Sequence, residues 1–114
     1  MTMTIYHNPR CSKSRHALQI LRDNGVEPEV VEYLKTPLDA AVLRGLIDKL
    51  NIPAHDVLRT KEDEYTDAGL SPQSSNTQVI KAIEAHPILL ERPIIVKGKK
   101  AVIGRPPEKV TQLL

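Results

Sequence analysis

The sequence predicts a single mixed α/β domain over residues 1–114, and three observations predict it. A β-like run, a helical pattern and a second β-like run follow one another at the start of the chain. Two further β-like runs near the other end are separated only by a turn that contains glycine. The stretch between these two parts is helical in its spacing.

Each element has a local cause. Thr4-Ile5-Tyr6-His7 is β-branched and aromatic, and Asn8-Pro9 breaks it. From about Ser12 to Asn24, Ala17, Leu18, Ile20 and Leu21 recur at helical spacing, and Gly25 is a natural stop. Pro28 to Tyr33 reads as a second strand. Thr36 at the N-cap and Pro37 at the first helical position open a second helix. It carries Leu38, Val42, Leu43, Leu46, Ile47 and Leu50 and ends at Asn51-Ile52-Pro53.

Residues 54–75 are less regular, with a short helical turn expected over Ala54 to Leu58 and a loop over Asp67 to Pro72. Ser75 or Asn76 caps a further helix carrying Val79, Ile80, Ala82 and Ile83, which His86-Pro87 ends. Pro93 to Val96 and Ala101 to Ile103 are the strands of a hairpin that turns at Lys97-Gly98-Lys99-Lys100. Gly104 to Glu108 leads into a terminal helix with Val110, Leu113 and Leu114.

The order is therefore β-α-β, a helical insertion, then β-β-α. The first two strands are expected to be parallel, because a helix joins them, and the last two antiparallel. A mixed four-stranded sheet with helices on both faces is the thioredoxin-like arrangement.

Composition narrows the function. Sixteen Lys and Arg stand against 14 Asp and Glu, a net charge of +2, which is too mild to imply nucleic-acid binding. No apolar stretch approaches the roughly 18 residues of a membrane span, so no membrane association is expected. The start, MTMTIYHNPR, lacks the apolar centre of a signal peptide, and the chain has one cysteine. A reducing cytoplasm is the expected location.

That cysteine, Cys11, stands where the first strand hands over to the first helix. Helix N-termini present unpaired N–H groups and partial positive charge, which favour a thiolate over a thiol. Arg10, Lys13 and Arg15 are close in sequence and act in the same direction. A depressed thiol pKa and a nucleophilic sulfur are expected. A merely buried cysteine would have apolar neighbours, whereas this one lies between Asn-Pro-Arg and Ser-Lys-Ser-Arg.

Spacing excludes the familiar alternatives. Cys11-Ser12-Lys13-Ser14 has serine where a dithiol motif has its second cysteine. Ala17 stands where a cysteine phosphatase loop has its arginine. No metal site is expected, because His7, His16, His55 and His86 are scattered. Among them His7 ends the strand that delivers Cys11, which makes it a candidate partner of the thiolate.

The stretch from His7 to Arg15 resembles the active-site segment of glutaredoxin-coupled arsenate reductases. Leu58-Arg59, His86-Pro87-Ile88-Leu89, Glu91-Arg92-Pro93-Ile94 and Gly104-Arg105-Pro106 resemble the other segments of that family, in the same order. The resemblance covers almost the whole chain. It implies that Cys11 is the nucleophile and that Arg59, Arg92 and Arg105 hold the oxyanion. It implies further that Pro93 is the cis-proline beside the catalytic cysteine and that His7 lies near that cysteine. Arginine suits this task, since its charge is permanent and its forked donors match tetrahedral oxyanions.

The resemblance also implies a course of reaction. Cys11 attacks arsenate with loss of water, and glutathione then attacks because no second protein cysteine can. Glutaredoxin resolves the sulfur adduct, and arsenite leaves. Glutathione is a co-substrate, and no bound cofactor or metal is implied. Two other readings stay open: a glutathione-dependent thiol oxidoreductase of the same fold with another substrate, and an Spx-type regulator that binds RNA polymerase. The second is weakened by Ser14, because that switch commonly uses Cys-x-x-Cys.

Overall fold

The computed structural model describes residues 2–114. They divide into two compact units, one built from residues up to Thr36 together with Arg92–Leu114, the other from Pro37–Glu91. The helical insertion expected from the sequence is thus a unit of its own.

The first unit holds the sheet. Strand β1 (Met3–Tyr6) lies at its centre, parallel to β2 (Glu29–Val31) and antiparallel to β3 (Ile94–Lys97). Strand β4 (Lys100–Ile103) pairs with β3 in the expected hairpin, which gives the order β2-β1-β3-β4. In register, Ile5 faces Val30 on one side and Ile95 on the other.

Strand alternation sends Met3, Ile5 and Ile95 into one core with Ala17, Leu18 and Leu21 of helix α1 (Ser12–Asp23). Val110 and Leu113 of the C-terminal helix complete that core. Ile94 and Ile95 are both fully buried, so both faces of β3 are covered.

Helix α1 ends as its glycine predicts. Gly25 takes φ +79°, its N–H bonds the carbonyl of Arg22, and the N–H of Val26 bonds that of Leu21. This is a Schellman motif, which satisfies carbonyls that the helix end leaves unpaired.

The second unit contains α2 (Ala40–Leu50), α3 (Asp63–Asp67) and α4 (Asn76–Ala85), with 3-10 turns at Ala54–Val57 and Pro87–Leu89. Helix α4 packs against α2 and against both 3-10 turns. An antiparallel bridge joins Leu58 to Leu90 and is flanked by backbone hydrogen bonds from Arg59 to Leu89 and from Glu91 to Val57.

Several boundaries differ from the sequence expectation. The second helix is capped by Asp39, whose carboxylate accepts from the Val42 N–H, and not by Thr36. Strand β2 is shorter than predicted, with Tyr33 beyond its end and buried. The terminal helix is 3-10 over Pro107–Leu113. Its buried residues Pro107, Val110 and Leu113 recur every third position, which is the 3-10 period. No helix among the described residues is long and apolar enough to cross a membrane.

Candidate active site

The site begins at the end of β1. The ladder with β2 continues one residue past the strand, where the His7 N–H donates to the carbonyl of Val31 at 2.8 Å. The chain then turns. The Asn8 carbonyl accepts from the Cys11 N–H at 3.0 Å, with Pro9 and Arg10 at the bend. Proline suits the second position of such a turn because its φ is already set. Arg15 braces the turn by donating from Nη1 to the Pro9 carbonyl at 2.8 Å.

Cys11 is the N-cap residue of α1, with φ −91° and ψ 121°, and it is half-buried. Its backbone carbonyl accepts the Arg15 N–H at 3.0 Å. The sulfur makes no capping hydrogen bond of strict geometry. Burial by itself raises the thiol pKa, yet the net shift is downward. The N–H groups of Ser14 and Lys13 and the guanidinium of Arg92, which donates toward the sulfur, together outweigh burial. The thiolate expected from the sequence is therefore favoured, by the helix N–H groups expected for it and by Arg92 in place of the cations close in sequence. Lys13 acts through its backbone and not its ammonium, while Arg15 turns its guanidinium to the Pro9 carbonyl and Arg10 gives its backbone N–H to Asn8.

Arg92 is the decisive cation, and it reaches the sulfur from a segment distant in sequence. Its Nε and Nη1 are buried with no hydrogen-bond partner. Buried donors are seldom left unpaired, and two on one guanidinium beside a thiolate are able to donate to an anion. Arg105 stands next to Arg92, with Nη1 3.3 Å from the Arg92 carbonyl. The Arg92–Pro93 bond is cis, as is Arg105–Pro106. Pro93 is buried immediately before β3, and its carbonyl accepts the Gly104 N–H at 2.8 Å.

His7 is buried, and its Nδ1 lies 2.6 Å from Ser14 Oγ. The ring of His7 is thus tied to Ser14, in the first turn of the helix that Cys11 caps. Burial lowers the imidazole pKa; Glu32 opposes this, and Arg22 and Arg15 add to it. Ser14 is fully buried, and its Oγ also accepts the Asn8 N–H at 3.1 Å. The position that holds a second thiol in dithiol proteins is occupied here by a structural hydroxyl.

Cys11, Ser14, His7, Arg92, Pro93 and Arg105 all belong to the first unit, whereas Arg59 belongs to the second. There its Nε pairs with Glu62 at 3.1 Å, and its Nη1 lies 3.6 Å from Glu91. Asn8 was read from sequence only as a strand breaker, yet it is buried and makes three hydrogen bonds at the turn. The available signal was Asn before Pro, since an Asn side chain can close a turn on the backbone two residues on. Among the described residues no group of His, Cys, Asp and Glu could hold a metal ion.

Residues 6–113 match the ArsC family. The chain is 53% identical over 112 residues to the uncharacterized protein YfgD of Escherichia coli K12, covering 96% of this chain and 94% of that protein. It is 46% identical over 112 residues to an arsenate reductase of Neisseria meningitidis, covering 96% of each. The solved structure of an arsenate reductase from Vibrio cholerae superposes with a TM-score of 0.96 at 40% identity, covering 100% of this chain and 98% of that one.

Proposed function

The chain belongs to the ArsC family, and from that premise we propose that it is an arsenate reductase in which the single thiolate of Cys11 acts on arsenate with glutathione and glutaredoxin as electron donors. The observation that carries this reading is Arg92. It stabilises the Cys11 thiolate, and its Nε and Nη1 are buried without a hydrogen-bond partner. A nucleophile and an anion-binding cation thus sit together. Relatives described as arsenate reductases supply the identity of the anion.

The reaction proceeds by displacement at arsenic and then at sulfur. The Cys11 thiolate bonds to arsenic and water leaves, which forms a sulfur–arsenic(V) adduct. A glutathione thiolate attacks the Cys11 sulfur, and the electron pair of the sulfur–arsenic bond stays on arsenic. Arsenite leaves as arsenic(III), and Cys11 is left in a mixed disulfide with glutathione. A glutaredoxin thiol attacks the glutathione sulfur and returns Cys11 to its thiolate. An external thiol is required because the chain has one cysteine and Ser14 stands at the alternative position.

Arg92 and Arg105 offset the charge that builds on oxygen during these steps. The test is arsenate turnover by purified protein with glutathione and glutaredoxin, compared with a Cys11→Ser variant. Turnover that depends on Cys11 and on both thiol donors is expected. Wild-type turnover no higher than that of the variant overturns the reading.

A further inference from the structure

We infer that Asn8 is a positioning residue that sets the reactivity of Cys11 without touching the anion. The inference rests on Cys11 being the reactive thiolate. Asn8 is 5% exposed, and its N–H, its carbonyl and its side-chain oxygen all act on the segment that carries the sulfur. Its side-chain Oδ1 accepts the Arg10 N–H at 3.0 Å, its carbonyl accepts the Cys11 N–H at 3.0 Å, and its N–H donates to Ser14 Oγ at 3.1 Å.

Two of these bonds close the turn from Asn8 to Cys11. The third ties that turn to the first turn of α1. Together they hold Cys11 in the extended N-cap conformation from which its sulfur faces the N–H groups of Lys13 and Ser14. The dipole field at a helix terminus weakens within one turn. A loosened turn therefore moves the sulfur away from the groups that hold its charge, although nothing is removed from the anion site.

The side-chain bond to Arg10 can be deleted by itself. Asn8→Ala removes it, and Asn8→Ser keeps a shorter acceptor able to close the same turn more weakly. Cys11 is the sole cysteine, so the pH dependence of iodoacetamide alkylation reports its thiolate without ambiguity. In Asn8→Ala the alkylation midpoint is expected to rise by about one pH unit, which is roughly a tenfold loss of reactivity below that midpoint. Asn8→Ser is expected to fall between Asn8→Ala and wild type.

Thermal unfolding of the same samples separates this from a general loss of stability. A lowered melting temperature with an unchanged alkylation midpoint in Asn8→Ala overturns the inference. If Asn8→Ala does not fold, an unchanged midpoint in Asn8→Ser overturns it. The assay uses no arsenate, so absent turnover in the wild type would sink the proposed reaction and leave this result standing. A wild-type midpoint at the ordinary cysteine value would remove the thiolate premise itself.

Discussion

The ring of His7 and the hydroxyl of Ser14 meet at 2.6 Å, and both residues are buried. Ser14 is thereby held between His7 and the backbone N–H of Asn8. Burial, offset in part by Glu32, holds the His7 pKa below its ordinary value, so the folded protein favours neutral imidazole. The unfolded chain takes up the proton first as pH falls. Stability is then lost from the ordinary histidine value of about 6.5 downward, until the folded-state pKa is passed. His7→Gln is expected to flatten that part of the stability curve, as urea unfolding at a series of pH values will show. An unchanged slope below pH ~6.5 would refute it.

Ser14→Ala removes the hydroxyl and leaves the buried Asn8 N–H and His7 Nδ1 without their shared partner. A cost of about 1–3 kcal/mol in unfolding free energy is expected. Chemical denaturation measures it, and a change below ~0.5 kcal/mol would mean that water replaces the hydroxyl.

Arg92→Lys keeps the charge but loses the forked geometry, and Arg92→Ala loses both. Either variant is expected to raise the alkylation midpoint of Cys11, because Arg92 helps to lower its pKa. Arsenate turnover is expected to fall on the order of 100-fold in Arg92→Ala, the scale seen when one oxyanion donor is removed. Full activity in Arg92→Ala would detach this residue from the anion site.

Gly104 is needed for a close approach. A Cβ built there lies 2.8 Å from Pro93 Cγ and 3.2 Å from Ile95 Cδ1. Gly104→Ala is expected to cost about 1–3 kcal/mol by overpacking. The shift would be felt at Pro93, next to Arg92, so turnover is expected to fall together with stability. Denaturation and steady-state kinetics on the same variant check both.

The Ser75 hydroxyl accepts the Gln78 N–H, and the Gln78 side chain accepts the Ser75 N–H, which is a complete capping box. Ser75→Ala is expected to lower stability by about 1 kcal/mol and to leave Cys11 alkylation unchanged. A changed alkylation profile would show that α4 influences the thiol.

Sequence by itself determined what depends on neighbours along the chain. Helix α1, its stop at Gly25, the start of α4 at Ser75 or Asn76 and the hairpin about Gly98 were all legible, because each rests on side-chain periodicity, a capping residue or one backbone angle. The single thiol and its place at a helix start were legible for the same reason. Local signals failed where two were in competition or none was strong. Thr36-Pro37 resembled a helix start, but Asp39 holds the cap because its carboxylate reaches the Val42 N–H. Helix α3 buries no residue, so it left no apolar period to read.

Tertiary structure decided which charged groups meet the sulfur. Arg10 and Arg15 are close to Cys11 in sequence, yet Arg15 turns its guanidinium to the Pro9 carbonyl, and Arg92 is the cation that acts on the thiolate. The pairing of β1 with β3 carries the segment before Ile94 back toward the end of β1. The resemblance named Arg92 but could not supply its contact with Cys11. That contact depends on antiparallel register, which joins residues far apart along the chain and leaves no trace in local spacing.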